Sequence, residues 1–171
     1  MVPEIGALLG AKYRVLAKLG EGGMGTVYRA ENELTGKQVA IKWMHPHLAA
    51  TPDAAERLLR EARASSKLSH PNVVDVYDVV RDDQTLFLVM ELLQGETLRE
   101  YLRNNPNPKL SEFIGLLMGA MAGVAAAHER GVIHRDLKPE NVLVLRGKSD
   151  DGQTADIVKV CDFGVAQLSP L

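Results

Sequence analysis

The chain has 171 residues, of which 46% are hydrophobic and 25% charged, and its formal net charge is −2. That is ordinary globular usage, long enough for one domain or two small lobes, with no basic excess to draw it to nucleic acid or an anionic membrane surface. A single cysteine, Cys161, excludes an internal disulfide framework and fits a reducing compartment.

Residues 1–12 carry Glu4 and no basic n-region, so they read as a leader into the domain and not as a signal peptide. Strands are predicted over 13–19, 26–32 and 38–44. They are rich in β-branched residues and separated by GEGGMG and LTGK, which points to an antiparallel arrangement. A helix then starts at Thr51 as N-cap, with Pro52 in the first helical position and Asp53 and Glu56 in the first turn. It ends before His70-Pro71. Leu58, Glu61, Ala62 and Ser65 share one of its faces. Strands over 73–80 and 85–93 and a short helix from 96 to about 103 come next.

The run FIGLLMGAMAGVAAA, residues 113–127, is apolar all round. It is shorter than the roughly 20 residues of a membrane span and is flanked by Glu112 and His128. It therefore predicts a buried helix, N-capped by Ser111 and ending near Gly131. Short strands are expected at 132–133, 142–145 and 157–161, with GKSDDGQTAD at 147–156 as a solvated insertion. The expected order is a β-rich part with one helix, then a helical part with small β-pieces, joined near 92–95.

Three segments carry chemistry. The glycines of GEGGMGTV, residues 20–27, precede a strand pattern. That excludes a dinucleotide fingerprint, which needs a helix there. The absence of Gly-Lys-Ser/Thr excludes a Walker A loop. What remains is a glycine hairpin whose backbone N–H groups approach phosphate oxygens closely, or a plain flexible turn. Lys42 ends the strand segment VAIK, where a solvated lysine is the common case. Glu61, on the inward flank of the following helix, needs a cation. A Lys42–Glu61 pair that holds the lysine head at phosphates is therefore expected.

In HRDLKPEN, Asp136 and Asn141 lie five residues apart, and Asp162 follows the apolar IVKVC. Asn141 and Asp162 offer hard oxygens suited to Mg²⁺ beside a phosphate. Asp136 is then left to accept a proton from an attacking hydroxyl, and Lys138 to neutralise charge on the transferring group. Turn-forming preference explains any one of these residues. It does not explain the whole block in series with the glycine loop, VAIK and Asp-Phe-Gly.

On these motifs the chain resembles the eukaryotic-type protein kinases, most of all the bacterial Ser/Thr branch, over residues 13 to about 166. The resemblance implies an α+β, protein-kinase-like two-lobe fold. It would have a complete β-rich small lobe at 13–92 and an incomplete helical large lobe at 93–171, truncated after the DFG motif. It implies ATP and Mg²⁺ as cofactors and a protein Ser or Thr hydroxyl as acceptor. By the resemblance Gly20, Glu21, Gly22, Gly23 and Gly25 cover the phosphates, and Lys42, paired with Glu61, binds the α- and β-phosphates. Val27, Ala40 and Leu143 sandwich the adenine, Met90 guards the back of its pocket, and Glu91 and Leu93 lie in the hinge. Asp136 is the catalytic base, Lys138 lies near the γ-phosphate, and Asn141 and Asp162 hold Mg²⁺. His134 and Phe163 match packing residues, and Arg135 an arginine that pairs with phosphorylated activation loops.

The implied activity is ATP- and Mg-dependent phosphoryl transfer to proteins. The alternative is a kinase-like fragment that binds nucleotide or a partner without turnover. A long apolar helix left uncovered invites self-association. No membrane segment is expected in the chain, and a cytoplasmic location follows.

Overall fold

The computed structural model describes residues 3–49, 51–82, 85–148 and 154–163; the side chains of Leu58 and Glu61 are outside this description. The residues group into two units. One comprises the residues up to 67 together with 75–92, the other 68–74 together with those from 93 onward.

In the first unit β1 (Leu8–Leu9), β2 (Tyr13–Gly22), β3 (Gly25–Asn32), β4 (Gln38–Met44), β5 (Val76–Asp82) and β6 (Thr85–Glu91) form an antiparallel sheet in the order β1-β2-β3-β4-β6-β5. Side chains alternate between its faces. One face carries a core of Tyr13, Val15, Tyr28, Ala30, Val39, Ile41, Trp43, Phe87 and Val89. The register sets Ile41 between Tyr28 and Val89 and stacks Trp43 on Phe87 with ring centroids 5.7 Å apart. The ladder between β2 and β3 runs on to Gly22 opposite Gly25. The glycine segment is thus the tip of a paired hairpin and not a loop beyond shorter strands. Helix α1 (Pro52–Ser65) follows a single 3-10 turn at Pro46–Ala49.

The second unit contains β7 (Glu96–Thr97), α2 (Leu98–Asn104), α3 (Leu110–Glu129), a 3-10 turn at Pro139–Asn141, β8 (Val142–Lys148) and β9 (Thr154–Val160). Its sheet is β7-β8-β9, antiparallel. Helix α2 starts at a capping box. Thr97 Oγ1 accepts from the Glu100 amide at 3.2 Å, and the Glu100 carboxylate accepts from the Thr97 amide at 2.9 Å.

The N-cap of α3 is Lys109, which makes no side-chain cap bond, and the expected cap Ser111 lies inside the helix. At its other end Gly131 takes φ +72°. The Gly131 amide bonds the His128 carbonyl and the Val132 amide bonds that of Ala127, a closure that only a left-handed residue permits. Residues 132–133 are therefore helix closure and not a strand.

The apolar run 73–80, read as one strand, is divided. Val73 bridges Val160 in parallel, and Val74 N–H bonds the Val160 carbonyl, whereas β5 begins only at Val76. The polar stretch expected as an insertion is paired wherever it is described: Arg146 opposes Asp156 and Lys148 opposes Thr154. Backbone pairing here needs no apolar side chains, so composition hid it.

Helix α3 has 20 residues and is long and apolar enough, by length and composition, to cross a membrane, so length does not exclude that as the 113–127 run implied. It packs along β9, and its buried residues are Leu116, Ala120, Gly123 and Ala127. It is not buried all round as expected: Met118 is 65% and Met121 69% exposed. Small residues set the spacing of the packed side. A Cβ on Gly123 would stand 2.5 Å from the Asn72 carbonyl oxygen, whereas one on Gly115 would meet nothing within 4 Å.

The two glycines should therefore respond in opposite ways. Gly115→Ala should gain up to about 1 kcal/mol of helix propensity. Gly123→Ala should lose stability despite the same gain, because the backbone of residue 72 must move. Urea denaturation midpoints of the two variants compare them, and equal shifts would remove the close-packing argument.

Candidate active site

In the first unit the sheet register decides which predicted residues stand together. Gly20 opposes Val27, Val27 opposes Lys42, Lys42 opposes Leu88, and Ala40 opposes Met90. Directly opposed residues share a face, so Gly20, Val27, Ala40, Lys42 and Met90 all stand on the face away from the core. Lys42 is only 6% exposed, which is not the solvated lysine common in strands. Glu61 lies in α1, and the expected Lys42–Glu61 pairing falls outside the described residues.

The hairpin glycines divide into two kinds. Gly25 is required by the fold, since a Cβ there would stand 2.1 Å from the Trp43 carbonyl oxygen. Gly20, Gly22 and Gly23 have nothing within 4 Å of that position and no positive φ. Neither packing nor backbone conformation demands glycine at these three. Their bare backbone leaves the hairpin open to close approach by a ligand. Glu21 pairs with Lys18 at 2.5 Å, and this hydrogen bond holds its carboxyl below the usual range. His45, just past β4, donates Nε2–H to the Gly22 carbonyl at 3.1 Å and its backbone N–H to the Met24 carbonyl at 3.0 Å. At the end of β6, Glu91 donates its amide to the Asp75 carbonyl at 3.0 Å and accepts the Asp75 amide on its carboxylate at 2.8 Å. The Glu91 amide is thus committed within the protein.

In the second unit Asp136, Lys138, Asn141 and Asp162 come together. Lys138 Nζ lies 2.7 Å from Asp136 Oδ2. Asn141 Nδ2 donates to the Asp136 carbonyl at 2.8 Å and to Asp136 Oδ2 at 3.3 Å. The Lys138 hydrogen bond is the main cause that holds the Asp136 carboxyl below its ordinary range, and the same bond raises the Lys138 ammonium. Asp162 adds to that rise through its charge, which places it within electrostatic reach of Lys138.

Asp162 is tied alongside through its neighbour. The Cys161 amide bonds the Asn141 carbonyl at 2.9 Å, and the Cys161 carbonyl accepts His134 Nε2–H at 2.7 Å. His134 Nδ1 accepts the Asp136 amide at 3.4 Å, so one neutral tautomer serves both bonds, and its ring meets Phe163 edge-on at 4.7 Å. His134 therefore does more than pack. Asp162 (φ +63°) and Arg135 (φ +64°) both sit in the left-handed region, at a cost of about 1–3 kcal/mol each, which is where functional loops concentrate strain. Leu143 lies in β8 opposite Lys159 and is half-buried, as is Leu93.

The donor set fits a hard divalent cation. Asn141 turns its amide protons to Asp136 and so its oxygen away from it, and Asp162 adds a carboxylate on the chain segment bonded to Asn141. The sequence reading missed His45 and the His134–Cys161 bond. Both are side-chain-to-backbone contacts between distant segments, for which no local pattern exists.

An antiparallel sheet unit carrying a buried lysine under a glycine hairpin, followed by a helical unit with this acid–lysine–asparagine cluster, is the architecture of a protein kinase. The chain belongs to that family: the protein kinase domain matches residues 13–170. It is 44% identical over 161 residues to the serine/threonine-protein kinase pkn2 of Myxococcus xanthus, covering 94% of this chain and 19% of that protein. It is 35% identical over 162 residues to serine/threonine-protein kinase PrkC of Bacillus subtilis, covering 95% and 24%. Among solved structures, the PknI kinase domain of Mycobacterium tuberculosis superposes with a TM-score of 0.79 at 26% identity, over 97% of this chain and 64% of that one. The chain thus spans about a fifth to a quarter of these two curated relatives and under two thirds of that solved domain.

Because Lys138 depresses the Asp136 pKa, the stabilisation that their pair gives is present above the ordinary carboxylate range and lost as pH falls through the depressed value. In Lys138→Ala the Asp136 carboxyl should titrate at higher pH than in the parent, toward that ordinary range. Carbon-13 NMR of the aspartate carboxyls reads this directly, and an unmoved titration would show that Lys138 does not hold it.

Proposed function

We propose that the chain carries out, or forms the ATP-binding and catalytic part of an enzyme that carries out, ATP- and Mg-dependent phosphoryl transfer to Ser or Thr hydroxyls of proteins. The observation that supports this most is the cluster in which Asp136 is held by both Lys138 and Asn141 while Cys161 ties Asp162 to Asn141.

In this reading Asp136 accepts the hydrogen bond of the attacking hydroxyl. Its depressed pKa makes it a weak base, which suits a loose transition state where orientation matters more than early proton removal. Lys138, two residues on, stabilises charge on the transferring phosphoryl group. Lys42 fixes the α- and β-phosphates with Glu61 as its partner, and the amides of Gly20, Gly22, Gly23 and Gly25 cover them. Val27, Ala40 and Leu143 enclose the adenine with Met90 behind it, and the backbone of Leu93 and the carbonyl of Glu91 meet its polar edge. Mg²⁺, held by Asn141 and Asp162, would neutralise phosphate charge. The partners are ATP and a protein substrate, and the site of action is the cytoplasm.

Incubation with labelled ATP, Mg²⁺ and a generic basic protein should give transfer to Ser or Thr. Asp136→Asn should reduce it by about 10²-fold or more, the usual worth of positioned acid–base groups. Lys42→Met should abolish the rise in melting temperature that Mg·ATP confers on the parent, since stabilisation follows nucleotide affinity. A Mg·ATP shift without any transfer would instead favour a nucleotide-binding protein without turnover.

A further inference from the structure

The glycine hairpin is held from one side: β3 pairs with β4 as far as Gly25 opposite Met44, whereas the β2 arm beyond Arg14 pairs with β3 alone. Its arms pair up to Gly22 opposite Gly25, its turn is Gly23–Met24, and beyond Gly20 three of the next five residues are glycine. Glycines leave the unfolded alternatives of such a tip many, so its position is set by whatever holds it from outside. Among the described residues, the side chain of His45 bonds the tip. His45 Nε2 meets the Gly22 carbonyl at 3.1 Å, and the His45 amide meets the Met24 carbonyl at 3.0 Å. Since the partner is a carbonyl, Nε2 carries the proton and donates it.

His45 is half-buried and lies three residues beyond Lys42 in the chain. Its ring stacks on that of His47 at 5.6 Å and 16°, which limits its rotamers. It also lies close enough to Glu21 to help hold that carboxyl ionised.

We propose that His45 is a positioning residue, a latch that fixes the height of the glycine hairpin tip over the strand that carries Lys42. One end of the latch is the carbonyl of a glycine whose amide faces the phosphates in the proposed site, and the other is a near neighbour of the lysine that grips them. The latch therefore sets the gap into which a polyphosphate fits. It acts on nucleotides through their phosphates and leaves the binding of a bare nucleoside alone. The inference about binding rests on the nucleotide reading given above, whereas the latch itself is a property of the unliganded chain.

Two measurements on the 171-residue chain test it. The first is amide hydrogen exchange of residues 20–27 without nucleotide. His45→Ala should speed exchange there about three- to tenfold, the loss of one neutral hydrogen bond, with the rest of the first unit unchanged. His45→Gln, whose amide can donate to the same carbonyl, should restore much of the protection. His47→Ala, which removes only the stacking partner, should leave most of it. The second is the dissociation constant for Mg·ATP and for adenosine. His45→Ala should weaken Mg·ATP about three- to tenfold and adenosine not at all.

Parental exchange rates in His45→Ala, or equal loss in His47→Ala and His45→Ala, would overturn the latch. An equal loss of Mg·ATP and adenosine binding would overturn its action through phosphates. A parent chain that does not bind Mg·ATP would sink the nucleotide reading alone, and the exchange comparison would still decide the latch.

Discussion

The pleat of β4 is the constraint on which the first unit depends. Val39, Ile41 and Trp43 enter the core, and Ala40 and Lys42 stand on the opposite face. A slip of one residue in either ladder would exchange the two sets, putting an ammonium into the packing of Tyr28, Phe87 and Val89 and a tryptophan where phosphates are proposed to lie. Core packing and ligand chemistry are thus fixed by one register. The core supplies the energy that holds it, because five buried aromatic and branched side chains (Tyr28, Ile41, Val89, Trp43 and Phe87) oppose each other across β3, β4 and β6.

The second unit solves a different problem, which is to hold charged loop residues still without burying them. Asp136 and Lys138 keep substantial exposure, 38% and 48% of their side chains. An exposed ion pair contributes little to stability, so the pair cannot be what orders the loop. The ordering comes from beneath. His134 is almost fully buried, braces the Asp136 amide and the Cys161 carbonyl at once, and is itself wedged against Phe163. Asn141 spans from the 3-10 turn back to Asp136. Polar groups that face a ligand in the proposed site are thereby positioned by neighbours that do not face it.

Much of this could be read from the chain, and the reasons for the rest are physical. Strand positions in the first unit follow from β-branched runs and glycine punctuation, and the candidate site residues from motifs whose spacing suits phosphate and metal chemistry. The start of α2 is also written locally, in Thr97 and Glu100, yet the helix begins at Leu98, two residues after the expected Glu96. The division of 73–80 between two sheets was not legible, because Val73, Val74 and Val76 look alike to any local rule and only their partners differ. The pairing of Arg146 with Asp156 was hidden because a ladder of backbone bonds accepts polar side chains. The half-open state of α3 was missed for another reason. Its sequence is apolar on every side, and the extent of its burial depends on what lies next to it, which the helix sequence does not contain.

The residue just before Asp162 shows how a site can conserve shape while its chemistry drifts. Both main-chain groups of Cys161 are spoken for, the N–H by Asn141 and the C=O by His134, and these two bonds tie the aspartate to the loop beside it. The peptide unit is therefore the link between the two segments, while the sulfur makes only a long contact to the Lys159 carbonyl at 3.8 Å. Serine, alanine or threonine would supply the same link. Proline would sever it, since it has no N–H to give. Selection can accordingly tune the wall next to the proposed metal ligand by exchanging one small side chain for another, with the scaffold that aims the carboxylate left as it was.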